Sequence, residues 1–243
     1  MEPGERYAMK VIARMKSGFA SKFGVPRQSG LVKELRGRII FEPPYRNRDA
    51  VRGLEGFSHI WLIWGFDRVK RTDSAKAGAI SAREDWSPTV RPPRLGGNQR
   101  LGVFATRSPF RPNPIGLSAV ELERVEADSP EGPVVHVRGA DLVDGTPIFD
   151  IKPYLAYTDA HSEAVSGFAP AAPEAALEVE IAPELLARIP EPERAALRAV
   201  LAQDPRPRYQ HDPERVYGFG FAGYEIRFRV SGARLQVLDV AAP

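Results

Sequence analysis

The chain has 243 residues, with 34 lysines and arginines against 31 acidic residues, a net charge of +3 and no cysteine. That length suits one large domain or a domain with an appendage, and the missing cysteines exclude disulfides, thiolate nucleophiles and cysteine metal sites. No apolar run reaches the roughly 18 residues of a membrane span and the N-terminus has no apolar signal core, so the expectation is a cytoplasmic protein without membrane contact.

In chain order, the first marked feature is Val25-Pro26-Arg27-Gln28, a rigid turn carrying one cation and one amide. Ser58 to Phe66 (SHIWLIWGF) is a short apolar run rich in aromatics and isoleucine, as a buried strand requires. His59 lies inside it and is expected to be a hydrogen-bonded core histidine. Lys70 to Arg83 is polar and rich in Ala and Ser, the composition of a mobile loop. Between Ser87 and Val120 there are five arginines (Arg91, Arg94, Arg100, Arg107 and Arg111), six prolines, four glycines and no acidic residue. Proline removes amide donors and fixes φ, and each residue before it is pushed out of the α region. The guanidinium groups therefore sit on a stiff, extended backbone, suited to bidentate binding of phosphate or carboxylate.

Gly102 to Ala105 is a further candidate strand, and Val120 and Leu122, then Val135 and Val137, alternate with polar neighbours. Period-two patterns mark strands with one face in a core. Short strands separated by Gly, Pro, Asn and Asp predict a mainly β fold, a small barrel or sandwich. Asp141 to Pro147 (DLVDGTP) reads as a turn with two carboxylates, followed by Asp150-Ile151-Lys152-Pro153-Tyr154.

Composition shifts to Ala, Pro, Ser and Glu from Asp159 to Ala176, the signature of a connection. The division falls near residue 160, giving a first domain over 1–160 and a small α+β domain over 161–243. In the second, Pro183 to Leu201 is predicted helical with a break at Pro190, since Leu197, Val200 and Leu201 fall on one face. Asp204 to Tyr209 (DPRPRY) is a further arginine–aromatic motif. Ile226, Phe228 and Val230 begin a strand that pairs with Leu235 to Val240 across Ser231-Gly232.

The four histidines do not fall at metal-ligand spacing, and no nucleophile elbow or phosphate-cradling loop is present, so no metal is expected. Each remaining motif alone is ordinary turn chemistry. Three of them on one barrel, with complementary donors and carboxylates, point to a shared small-molecule pocket.

PRQSGLVK, AVRGLEGFSHIWLI, PTVRPPRLGGNQRLGVFATRSPFRPNPIGLSAVEL and DLVDGTPIFDIKPY together closely resemble the TsaA-like, or TrmO, family. The resemblance runs almost continuously from Val11 to Tyr157 and resumes at DPRPRY and YGFGFAGYEIRFRV. It implies a small antiparallel barrel that dimerises, and an S-adenosylmethionine-dependent methyltransferase acting on N6 of threonylcarbamoyladenosine at position 37, in the anticodon arm of tRNA. The Lys70 to Arg83 loop is longer than is usual in the relatives.

At matching positions the resemblance implies that Pro26, Arg27, Gln28, Arg107, Leu117 and the turn Asp144-Gly145-Thr146-Pro147 hold the methyl donor. Its α-carboxylate would meet an arginine and its ammonium and ribose hydroxyls Asp144. Arg111, Asn113, Asp150, Lys152 and Tyr154 are left for the acceptor side, with Asp150 or Tyr154 taking the N6 proton, or a polar side chain orienting N6 while water takes it. Arg91, Arg94, Lys152, Arg206 and Tyr209 would grip the RNA. From the residues alone, a non-catalytic RNA-binding barrel that senses the metabolite, and a methyltransferase with another acceptor, both stay open.

Overall fold

Six strands account for the barrel: β1 (Ala13–Lys16), β2 (Arg36–Phe41), β3 (His59–Gly65), β6 (Ile115–Glu126), β7 (Val134–Arg138) and β8 (Pro147–Pro153). A computed structural model describes residues 7–68, 86–92, 95, 98–169, 177–206 and 212–242. The six strands run antiparallel in the closed order β1-β2-β7-β6-β3-β8, and pairing of Ala13 with Ile148 joins the ends. Closure removes the exposed edges an open sheet would present. The expected small antiparallel barrel is therefore present, in a mainly β chain.

Strand phase sets the barrel interior. Along β3, Ile60, Leu62 and Trp64 point inwards and join Met15, Ile39, Val120, Val135, Val137 and Ile148 in one core. Removing a side chain as deep as Leu62 leaves a cavity, at a cost of about 2–5 kcal/mol. His59 belongs to the opposite phase and is exposed, its Nδ1 3.0 Å from Ser58 Oγ, so it is not a core histidine. The apolar run begins only at Ile60. β3 also lies against glycine where its largest ring needs room. Trp64 pairs in register with Gly116, where a Cβ would stand 2.2 Å from the indole.

A short ribbon, β4 (Thr89–Val90) with β5 (Leu101–Gly102), projects from the basic stretch. The expected strand over Gly102 to Ala105 is thus corrected: Val103–Ala105 is a single 3₁₀ turn. The Val103 amide bonds to Pro88 O at 3.0 Å, ending the ribbon, and the Thr106 amide closes the turn onto Val103 O.

After the barrel comes a one-turn helix α1 (Ala156–Asp159), then β9 (Glu178–Glu180), α2 (Pro183–Leu186), α3 (Glu191–Ala202), β10 (Tyr217–Phe221), β11 (Tyr224–Ser231) and β12 (Arg234–Ala241). Pro190 caps α3 and separates it from α2, as the sequence predicts. The sheet order is β10-β11-β12-β9, with β9 parallel to β12. Its apolar face packs on α3 through Leu197, Val200 and Leu201, forming a second core.

That second core also holds Phe19, Val32 and Leu35 from the segment between β1 and β2. Phe19 forms an isolated bridge with Phe221, their rings 5.4 Å apart edge to face. Phe23 similarly meets Phe219 at 6.2 Å. The segment is therefore a clasp: it leaves the barrel, seats its aromatics in the second core, and returns. No described helix is long and apolar enough to cross a membrane.

Candidate functional site

A cavity of about 570 Å³ opens where the clasp, the end of β3, the start of β6, the Arg107–Arg111 loop and the Asp141–Thr146 turn converge. This volume is within the range of small-molecule sites, roughly 300–1,000 Å³. Each wall follows from local structure. Pro26 is buried and stiffens the clasp while Arg27 projects outwards beside it. Trp61, Trp64 and Phe66 bring aromatic faces from β3 and its continuation, with Trp64 and Phe66 edge to face at 4.4 Å. The proline-rich loop contributes Arg107, Pro109 and Arg111.

Polar contacts order these walls. Arg107 Nη1 donates to Gln28 Oε1, joining the basic loop to the clasp, and Gln28 Nε2 donates to Arg27 O at 2.5 Å. Arg111 Nη1 donates to Thr106 O at 3.2 Å, folding its own loop back. Beneath them, Trp64 Nε1 donates to Ser118 Oγ at 3.0 Å, and Ser118 Oγ donates to Asp141 Oδ1 at 2.7 Å. Asp141 lines the cavity, and burial raises its pKa above the ordinary carboxylate value against the opposing pull of Ser118 and the Arg107 charge. Across the cavity, burial lowers the pKa of Lys22, with Asp67 opposing.

Of the residues assigned from sequence to the donor, Pro26, Arg27, Gln28, Arg107, Leu117 and Thr146 line this one cavity. Leu117 is 55% exposed at its mouth. Asp144, Gly145 and Pro147 do not line it. They form the turn behind it: Asp144 Oδ1 accepts from the Ser17 amide at 3.1 Å, its Oδ2 faces Lys16 Nζ at 3.5 Å, and the Gly145 amide donates to Met15 O at 2.7 Å. The Asp144 carbonyl accepts from Arg68, a cavity residue.

The acceptor-side residues are less gathered. Arg111 lines the cavity; Asn113 is exposed beyond it. Asp150 Oδ1 accepts from the Ile151 amide at 2.9 Å and Oδ2 pairs with Lys152 Nζ at 3.2 Å, on the outer side of β8. Tyr154 is adjacent to the site through Trp61, their rings 5.5 Å apart. Arg91 is exposed at the end of β4. Arg206 is held in a bidentate pair by Asp204, at 2.8 and 2.9 Å, with its side chain only 11% exposed. RNA contact by Arg206 would require Asp204 to release it. Arg94, Tyr209 and the Lys70 to Arg83 loop lie outside the described residues.

Sequence reading passed over Asp141, Ser118, Trp61, Trp64, Lys22, Asp67 and Arg68 as site residues. Asp141 carried one signal, a carboxylate directly before the apolar pair Leu142-Val143; nothing local marked the others. Among the described residues, no cluster of three or more His, Asp or Glu side chains could hold a metal.

The arrangement suits a ligand with an anionic end, a cationic group and a flat ring: two or more arginines, one buried carboxylate and a set of aromatic faces share one cleft. Residues 14–160 match the family described as the tRNA-methyltransferase O N-terminal domain, and residues 174–243 match the TrmO C-terminal domain. A relative from Escherichia coli (strain K12), named tRNA (adenine(37)-N6)-methyltransferase, is 41% identical over 239 residues, covering 95% of this chain and 96% of its own. One of the same name from Eikenella corrodens is 50% identical over 187 residues, covering 76% and 98%. The crystal structure of TrmO from Pseudomonas aeruginosa superposes with a TM-score of 0.74 at 33% identity, covering 98% of this chain and all of that one. With both family domains matched in order and nearly full-length relatives at such identity, the chain belongs to the tRNA-methyltransferase O family.

Proposed function

We propose that the protein is an S-adenosylmethionine-dependent tRNA methyltransferase that adds a methyl group to N6 of threonylcarbamoyladenosine at position 37. The observation that carries this reading is the meeting, in one 570 Å³ cavity, of Arg27, Gln28, Arg107 and Thr146 with Asp141 and three aromatic side chains. Arg27 and Arg107 suit a carboxylate, Asp141 a cation, and Trp61, Trp64 and Phe66 a purine. The donor supplies a methyl group already activated on sulfonium, so the protein's task is alignment and exclusion of water. Asp144, Gly145 and Pro147 serve by shaping the turn that sets Thr146 and by fixing Arg68.

On the acceptor side, Arg111 would bind the threonyl carboxylate. Asp150 and Tyr154 remain the proton-accepting candidates, with Asn113 as the orienting amide. The base must leave the stack, which costs least in a single-stranded loop. The RNA would lie across Arg91, Arg94 and Lys152 and the exposed rings of Trp86 and Phe104, which stack at 6.1 Å. In this reading residues 1–160 form the methyltransferase unit and residues 161–243 hold the anticodon arm, with Arg206 and Tyr209 at the contact, in a cytoplasmic homodimer. Trp61, Trp64 and Phe66 are used by the core and the cavity. Phe104, Phe110 and Leu117, 72%, 49% and 55% exposed, offer apolar surface for association.

The test is mass spectrometry of nucleosides from tRNA prepared with and without the threonylcarbamoyl group, after incubation with donor. Methylation confined to the modified tRNA supports the proposal. Equal methylation of both removes the carboxylate argument, and methylation of neither favours a metabolite-sensing barrel.

A further inference from the structure

The chain Trp64–Ser118–Asp141 links the barrel core to the cavity. Trp64 is 8% exposed, packs in the barrel core against Gly116 and also lines the cavity. Its indole N–H, a donor only, donates to Ser118 Oγ at 3.0 Å. Ser118 is 2% exposed, so its hydroxyl hydrogen is committed to Asp141 Oδ1 at 2.7 Å. A hydroxyl that accepts from one group donates to the other, and the direction of this chain is fixed from the indole outwards. It ends on a carboxylate whose remaining accessible surface lines the cavity. A fixed, partly desolvated carboxylate facing an otherwise basic pocket is costly unless it meets a cation or takes a proton.

Neither carboxylate of the DLVDG turn is equivalent to the other. Asp144 is held on the barrel side by the Ser17 amide and Lys16 and does not line the cavity. Asp141 is held by Ser118 and by backbone hydrogen bonds at Ser29 and its own residue, with the Arg107 guanidinium within electrostatic reach, and it lines the cavity; Arg107 itself donates to Gln28. We propose that Asp141 is the group that recognises the positive charge of the methyl donor, its carboxylate oriented by Ser118 and Trp64. The proposal rests on the donor-pocket reading above and assigns the counter-charge to Asp141 rather than to Asp144.

Two cationic groups of the donor share this chemistry, the sulfonium and the α-ammonium, and they can be separated by ligand. S-Adenosylmethionine carries both, S-adenosylhomocysteine only the ammonium, and methylthioadenosine neither. Burial raises the Asp141 pKa in the free protein, so an approaching cation must lower it again. Donor binding then expels a proton over the interval between the two values, and affinity rises with pH through that interval. The other charged groups lining the cavity are Arg27, Arg107, Arg111, Lys22, Asp67 and Arg68. Asp67 is the other carboxylate lining the cavity, so the proton count is also taken on Asp67→Asn.

Titration calorimetry on wild type, Asp141→Asn and Arg107→Ala, in buffers of different ionisation enthalpy, decides the matter. Asn is isosteric and removes a desolvated charge, so folding is expected to survive. The expected result is at least a tenfold loss of S-adenosylmethionine affinity in Asp141→Asn, with methylthioadenosine unchanged. Equal loss for S-adenosylhomocysteine identifies the ammonium, and loss for S-adenosylmethionine alone identifies the sulfonium. Wild type and Asp67→Asn should release a proton on binding at mildly acidic pH; Asp141→Asn should not. Wild-type affinity in Asp141→Asn, or equal loss of methylthioadenosine, overturns the assignment while leaving the pocket in place. Should wild type fail to bind S-adenosylmethionine at all, the donor-pocket reading itself falls. If Asp141→Asn does not fold, absence of proton release from wild type and Asp67→Asn overturns the proposal.

Discussion

Gly24 lies against the ring of Phe219, so close that a Cβ at Gly24 would stand 2.4 Å from the ring. Gly24 also has φ +91°, a conformation that favours glycine. The contact joins the C-terminal sheet to the turn that carries Pro26, Arg27 and Gln28. The second core thereby sets the position of one wall of the cavity. A barrel carrying this clasp without the sheet would expose Phe19, Val32 and Leu35.

Gly24→Ala is therefore expected to lower stability by roughly 1–3 kcal/mol, combining backbone strain with overpacking. It should also weaken donor binding, because the clasp must move away from Phe219. Denaturant unfolding and calorimetry on the same preparation test both. Gly30, with φ +77° but open space around it, provides the comparison. Alanine there should cost stability and leave the donor affinity closer to wild type.

Arg107 and Arg111 line the same cavity four residues apart, but they hold different partners. Arg107 Nη1 donates to Gln28, and Arg111 donates to the backbone of its own loop. Arg107→Ala should weaken S-adenosylmethionine binding at least tenfold, in keeping with about 1.5–3 kcal/mol for a hydrogen bond to a charged group. Arg111→Ala should leave that affinity within about twofold and lower turnover on threonylcarbamoylated tRNA by tenfold or more, about 1.4 kcal/mol. Calorimetry and steady-state rates separate the two.

Trp86 and Phe104 stack with 29° between their planes, 39% and 72% exposed, on a surface without acidic neighbours from Ser87 to Val120. Base stacking on such rings is worth about 1–3 kcal/mol per base. Phe104→Ala should weaken tRNA binding five- to tenfold with an unchanged salt slope. Arg91→Ala should reduce that slope by about one unit of contacted phosphate. Binding titrations at several salt concentrations distinguish stacking from charge. Light scattering on the same variants tests whether these rings also serve a dimer: a Phe104→Ala protein that turns monomeric would place them in the interface.

Glu126 accepts from His136 Nε2 at 3.0 Å and from Arg124 Nη1 at 3.2 Å, across the β6–β7 pair. His136 first, then Arg124, holds its pKa below the ordinary carboxylate value. A group with a depressed folded pKa contributes stability above its unfolded pKa and loses it as pH falls through the folded one. Thermal melts from neutral to strongly acidic pH should show wild type losing more stability than Glu126→Gln across the carboxylate range. Parallel curves for the two proteins would remove the pair from the acid response.

Much of this protein was legible from local pattern. The alternation in β3, β6 and β7, the β11–β12 hairpin and the break of the helical segment at Pro190 are properties of neighbouring residues, and a chain displays them before it folds. The long basic, proline-rich motif identified the family for a similar reason: stiff backbone and fixed cations leave little freedom for coincidence. Three decisions belong to the tertiary structure alone. Closure of the barrel depends on β1, β2 and β8, too short or too polar to declare themselves, and β8 hides a strand under Asp150 and Lys152. The phase of β3 put Trp64 inside and His59 outside, which an unbroken apolar run does not specify. The choice between Asp141 and Asp144 was made by contacts more than twenty residues away in sequence: Ser118 drew one carboxylate to the cavity, and Ser17 and Lys16 drew the other to the barrel wall. Side chains three positions apart in a turn face different directions, and only long-range hydrogen bonds determine which direction is the site.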